Sequence, residues 1–202
     1  MLGGKPLLQW TVDAARGSRF IDRLVLTTDD DEIAAVGRTI GLDVPFMRPA
    51  AAATDEATAD DVIDHVLSTL DGEFDYLVFL QPTSPFRTTT DIDGCLELLA
   101  ASDADSCVSV VPTHVKPEWL FHVEGGALLV PVSGQPPPQR RQELRPAYEL
   151  NGAVYAARLS AYRRTRSFHT GRTLAWIMPV ERSVDLDEES DFERAEALLR
   201  GM

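Results

Sequence analysis

The chain is short of cysteine, of basic side chains and of long apolar runs, and each shortage removes a class of function. Its two cysteines, Cys95 and Cys107, form neither a CxxC pair nor a disulfide framework, so they read as reduced, semi-buried thiols of a cytoplasmic protein. Lysine and arginine number 19 against 32 aspartates and glutamates, a net charge of −13. A duplex or an acidic lipid surface would repel such a chain overall, which argues against general binding to nucleic acid or membrane. No apolar run approaches the ~20 residues that span a bilayer. The opening Met1-Leu2-Gly3-Gly4-Lys5-Pro6 lacks the basic-then-apolar order of a signal segment. His65, His114, His122 and His169 stand singly, without zinc-type spacing, and no Gly-x-Ser-x-Gly elbow supports a hydrolytic triad.

What is present is a globular balance. The 202 residues are 44% hydrophobic and 25% charged, enough for one domain with a substantial core. Periodicity alternates between helix and strand. Pro6 opens a helix through Leu7, Val12 and Ala15, and Arg23–Thr28 reads as a short buried strand. Acids at 29–31 begin a helix that ends at Gly41, and Thr58 or Asp60 caps another that stops near Gly72. Tyr76–Leu80, apolar on both faces, has the pattern of a central parallel strand. A helix from Thr90 and a strand over Ser106–Val111 follow. The alternation predicts an α/β fold with a mostly parallel sheet and helices on both sides. Beyond Pro112 the pattern changes to a hairpin about Gly125-Gly126, strands over 153–157 and 174–178, and a closing helix over 190–199. Residues 112–150 read as an excursion from a single domain spanning 1–202.

Four features invite a chemical reading. Between Gln139 and Arg172 eight arginines face two acids, a local charge of +6 in an acidic chain. Such a segment is either a solvated face or a pocket for a small anion, since arginine suits carboxylate and phosphate. Thr28-Asp29-Asp30-Asp31 has the character of a helix N-terminus. Gln81-Pro82-Thr83-Ser84-Pro85-Phe86-Arg87 follows the strongest strand, where ligands bind in open α/β sheets. Its Gln81, Thr83, Ser84 and Arg87 offer more polar groups than a turn requires. Asp185 and Asp187 fall on one face of an extended segment, where two carboxylates suit Mg²⁺ or cap the last helix.

Taken together, these stretches resemble the N-acylneuraminate cytidylyltransferases, or CMP-sialic acid synthetases, and their relatives for legionaminic and pseudaminic acids. The resemblance runs in order through Leu2-Gly3-Gly4-Lys5-Pro6-Leu7, Thr27-Thr28-Asp29, Arg48-Pro49-Ala50 with Ala53-Thr54-Asp55, and Leu80–Pro85 with Arg87. It closes with Asn151-Gly152-Ala153-Val154-Tyr155 and Asp185-Leu186-Asp187 with Asp191. It implies a three-layer Rossmann-like nucleotidyltransferase fold in which 112–150 serves dimerisation. It further implies that Arg48, Thr54, Ala57 and Thr58 contact the cytidine nucleotide. Gln81, with Thr83, Ser84, Arg87, Arg141, Asn151 and Tyr155, would hold a nine-carbon 2-keto acid. Asp185 and Asp187 would coordinate Mg²⁺ and carry the catalysis. The implied partners are CTP, the sugar and a second copy of the chain, in cell-surface polysaccharide synthesis. Glu149 stands where sialic-acid enzymes often place arginine, which turns attention to legionaminic, pseudaminic or eight-carbon acids. The family's first strand and phosphate loop belong ahead of Leu2, so an open edge beside Leu77–Leu80 and feeble turnover by residues 1–202 are expected, down to an inactive sugar-binding module.

Overall fold

In the computed structural model, residues 1–54, 57–138, 140 and 144–201 are described. Four strands form the central sheet: β1 (Tyr76–Phe79), β2 (Ser106–Pro112), β5 (Tyr148–Arg158) and β6 (Thr173–Ile177), in the spatial order β1-β5-β2-β6. Strand β5 is antiparallel to both β1 and β2, and β6 is parallel to β2. Three of the four strands therefore run one way, the mostly parallel sense expected, and β5 alone is reversed. Strands β3 (Phe121–Glu124) and β4 (Leu128–Pro131) make the separate hairpin expected about Gly125-Gly126.

The helices are α1 (Leu7–Arg16), α2 (Asp31–Thr39), α3 (Ala59–Thr69), α4 (Thr89–Ala100), α5 (Leu159–Thr165) and α6 (Glu189–Gly201). Their starts follow capping chemistry. The Asp30 carboxylate accepts from Glu32 N at 2.7 Å and Ile33 N at 2.9 Å, opening α2. Thr58 with Asp61, and Thr88 with Asp91, form capping boxes at α3 and α4.

Side-chain alternation along the strands separates the layers. Tyr76, Val78, Cys107, Val154 and Ala156 face α1 and α4, packing with Ala15, Ile92 and Leu99. Leu77, Phe79, Val108, Tyr155 and Ala157 face the other way, onto Ile63 of α3 and Tyr162 of α5. A third cluster packs α6 and the first residues onto the segment before it: Leu2, Phe86, Val184, Leu186 and Ala195.

Two strand expectations change. Tyr76–Leu80 is an edge strand within the described residues, half-buried throughout and paired with β5 alone. Arg23–Thr28 forms no ladder; a single parallel bridge joins Val25 to Asp43. Both segments line one cavity of about 660 Å³. Helix α5 is a further departure, its seven residues too short for periodicity to reveal.

Candidate active site

The polar mouth of that cavity gathers residues from three parts of the chain. Arg48, Thr54, Ala57, Thr58, Gln81 and Thr83 all line it. Arg48 reaches this position because its backbone N–H bonds to Thr28 O at 2.8 Å, while its guanidinium pairs with the Asp29 carboxylate. The hydrogen bond from Arg48 holds the Asp29 carboxyl below its ordinary range. The acidic run at 29–31 is thus divided: Asp30 caps α2, and Asp29 orients an arginine. Thr58 combines its place at the mouth with its cap, its hydroxyl lying 2.7 Å from Asp61 Oδ2.

The loop after β1 is built around Arg87. This side chain is 3% exposed, and its Nη2 donates to the carbonyl oxygens of Gln81 and, at 2.9 Å, Ser84. Burial pulls its guanidinium down to about 10, opposed by the charges of Asp185 and Asp91, so it stays positive at neutral pH. Ser84 is completely buried, with its hydroxyl donating to Asn151 O at 3.3 Å. Arg87 and Ser84 brace the loop that carries Gln81 and Thr83, and among the described residues Arg87 Nε and Nη1 have no partner. The prolines at 82 and 85 bring no N–H of their own to the loop.

Asn151 is likewise internal. Its Oδ1 accepts from Ser109 Oγ at 2.6 Å and Ala153 N at 3.2 Å, and its Nδ2 donates to Ser183 Oγ at 2.9 Å and Met178 Sδ at 3.3 Å. The amide joins β5 to the segment that leads to Asp185. Tyr155, half-buried beside Phe79 and Phe168, has its phenol raised by burial first and then by the charge of Asp185. Arg141 lies outside the described residues.

Asp185 and Asp187 alternate with buried neighbours. Val184 and Leu186 point into the α6 cluster, leaving the carboxylates on the opposite face. Leu186 N bonds to Thr83 O at 2.9 Å, docking this segment on the Gln81 loop. Neither carboxylate caps a helix among the described residues; Asp191 does that, accepting from Asp187 N at 3.1 Å and Glu188 N at 2.9 Å.

The two loops meet at Gly152. It sits at φ +71°, and a Cβ there would lie 3.0 Å from Gln81 Oε1, 3.1 Å from Asp185 Oδ2 and 3.2 Å from Ser84 Oγ. Only glycine permits both this backbone and this approach. Gly152 brings the candidate sugar amide and a candidate metal carboxylate to one point. The Asp185 carboxylate and the Gln81 amide oxygen are hard oxygen donors of the kind Mg²⁺ prefers, an ion that usually takes only one or two carboxylates from the protein. Among the described residues no three His, Cys, Asp or Glu side chains gather to hold an ion on their own. Sequence reasoning did not single out Gly152, Asp91 or Arg182. Thr88-x-x-Asp91 was the one available signal, and it announces a helix cap.

Known proteins place the chain in a family. A cytidylyltransferase family model matches residues 1–200. An N-acylneuraminate cytidylyltransferase of Escherichia coli O18:K1:H7 is 32% identical over 96% of the chain, and one of Streptococcus agalactiae serotype V is 32% identical over 95%. The chain spans 46% of each of these relatives, less than half their length. A CMP-N,N'-diacetyllegionaminic acid synthase of Legionella pneumophila is 32% identical, with 98% of the chain and 87% of the relative covered. A solved CMP:2-keto-3-deoxy-manno-octonic acid synthetase shares the fold at TM-score 0.74 and 14% identity, over 100% of this chain and 90% of that one.

Proposed function

The chain belongs to the cytidylyltransferase family, and from that premise we propose that it activates a sialic-acid-like, nine-carbon 2-keto acid with CTP, giving the CMP-sugar and pyrophosphate. The observation that carries the reading is the junction at Gly152. There Gln81 and Asp185 converge beside a cavity whose mouth also holds Arg48 and Thr54. Sugar and triphosphate would meet at this junction.

In this reading the anomeric hydroxyl oxygen attacks the α-phosphorus of CTP. The bond from that phosphorus to the bridging oxygen of pyrophosphate breaks, and the hydroxyl proton passes to water. Positioning and charge neutralisation supply the catalysis, and no covalent enzyme intermediate is required. Gln81 holds the sugar acid with Thr83 beside it, and Tyr155 forms part of the wall. Arg48 faces the nucleotide, with Thr54, Ala57 and Thr58 shaping its seat. Asp185 and Asp187 hold Mg²⁺, which when bound neutralises and orients the triphosphate. Behind them the buried Arg87 offsets the carboxylate charge until the ligand arrives.

We also assign a homodimer to the 112–150 excursion, in a cytoplasmic enzyme with neither nucleic acid nor membrane as partner. Val123 and its cross-strand partner Leu129 share one face of the hairpin and are 63% and 61% exposed, the kind of uncovered apolar pair that marks an interaction surface.

CTP-dependent pyrophosphate release, measured over a panel of N-acetylneuraminic, legionaminic, pseudaminic and eight-carbon keto acids, tests the reading. Release with a nine-carbon acid is expected. Silence across the panel, with sugar binding retained in calorimetry, would mark a binding and dimerisation module instead. Asp185→Asn and Asp187→Asn should each abolish release while leaving the melting temperature in place.

A further inference from the structure

Asp91 lies on α4, outside every group assigned above to nucleotide, sugar or metal, and it is fully buried. Burying a carboxylate is costly unless donors replace its water. Here five converge. Thr88 contributes its N–H at 2.9 Å and its hydroxyl at 2.8 Å, the Trp176 indole N–H is 3.2 Å away, and Arg182 offers Nε at 3.0 Å and Nη2 at 2.8 Å. Capping α4 needs only the first two. The other three come from β6 and from the single 3₁₀ turn Val180–Arg182 that follows it.

What that turn leads to gives the contacts their meaning. Next along the chain are Ser183, held by Asn151, and Asp185, whose Oδ2 stands against Gly152. Leu186 then docks on Thr83. The segment bearing the two aspartates is therefore suspended between hydrogen bonds at Ser183 and Leu186 and one forked ionic contact at Arg182. A fork–fork guanidinium–carboxylate pair fixes orientation as well as distance. Gly94, one turn further along α4, reinforces it: a Cβ there would lie 2.3 Å from the Trp176 ring, so the indole rests directly on the helix backbone.

We infer that Asp91 is a positioning residue for nucleotidyl transfer, setting the 179–187 segment through Arg182 so that Asp185 and Asp187 meet the Gln81 loop. The inference rests on the assignment of those aspartates to Mg²⁺. Burial alone would push the Asp91 carboxyl up; Arg182, Thr88 and Trp176 outweigh it and hold the group ionised at neutral pH.

The test is the double variant D91N/R182Q, which neutralises both partners together and leaves the buried Arg87 with Asp185 as its counter-charge. Amide hydrogen exchange should show Leu186 exchanging about tenfold faster or more, while the Cys95–Leu99 amides of α4 stay as in the wild type. Binding of Mn²⁺ in the presence of CTP, followed by electron paramagnetic resonance, should weaken about tenfold or more, the usual result of removing an outer support of a metal site. Unchanged protection at Leu186, or equal loss along α4, would reduce Asp91 to a helix cap and overturn the inference. R182K, which keeps the charge but not the fork, repeats the test should the double variant fail to fold, with an intermediate loss of Mn²⁺ affinity expected. A wild-type chain that binds no Mn²⁺ with CTP, whatever the exchange data, would overturn the metal assignment itself and Asp91's part in the reaction with it.

Discussion

The two flanks of β1 are built differently. Towards β5 the packing is continuous: Cys95, Leu99, Cys107, Ala153, Val154 and Ala156 are all fully buried between sheet and α4. Away from β5, the half-buried Val25 and Leu26 line the cavity together with Leu77, Phe79 and residues of α3, while Leu24 packs back onto the dense cluster. The dense flank carries Gly152 and the Asp185 segment, and the open flank carries Arg48, Thr54, Ala57 and Thr58, with Gln81 and Thr83 where the two meet. In the proposed reaction the aspartates would rest on the close-packed side and the nucleotide on the side with room to adjust.

Truncations on either flank would break this comparison most directly. Leu99→Ala opens a cavity in a close-packed core and should cost about 2–5 kcal/mol. Leu67→Ala merely enlarges a space that exists already, so its cost should stay below about 1.5 kcal/mol, the transfer share alone. Denaturant unfolding of both variants measures the difference, and equal losses would show the open flank to be as tightly packed as the other.

Gly152→Ala probes the junction. The methyl group would crowd the Gln81, Asp185 and Ser84 oxygens on a left-handed backbone that costs alanine about 1–2 kcal/mol, so turnover should fall about tenfold. Gln81→Ala sharpens the division of labour between the flanks. Losing one polar partner costs about 1–3 kcal/mol, which should appear in KM for the sugar rather than in KM for CTP. The reverse split would move Gln81 to the nucleotide.

The smallest effect concerns Asp29. Its folded pKa lies below its unfolded value because of Arg48, so its contribution to stability is whole above about pH 4. That contribution is lost as the pH falls through the depressed folded value. Asp29→Asn should remove that part of the acid limb and leave neutral-pH stability almost unchanged, as expected of an exposed pair. A large loss at pH 7 would show that Arg48 is fixed by Asp29 alone.

Much of this architecture is legible along the chain, for local reasons. Asp30 and Thr58 stand where helices begin because each accepts from N–H groups within three residues of itself, and Gly125-Gly126 turns a hairpin in the same local manner. The direction of β5 is not local. It is an apolar strand of ordinary pattern, and nothing in its period says that it enters between β1 and β2 in reverse. The site divides along the same line. Gln81 and the two aspartates announce themselves as polar groups at strand ends. Asn151, Ser84 and Arg87 look alike in sequence, yet the fold turns them inward to hold the loops together. The bond between Asp91 and Arg182 joins positions 91 residues apart, a separation no short motif spans.

The outer margin of β6 also bears on how the protein behaves in concentrated solution: among the described residues it pairs with β2 alone and leaves Ile177 54% exposed. A strand margin of that kind invites pairing with a neighbouring chain, and what holds neighbours apart is mutual repulsion between bodies of charge −13. Added salt shortens the reach of that repulsion from about 10 Å at 0.1 M to about 3 Å at 1 M, and it leaves hydrogen bonding and apolar contact in force. Salting a crowded sample of this protein would therefore thicken it rather than disperse it, the reverse of what salt does to complexes held by opposite charges.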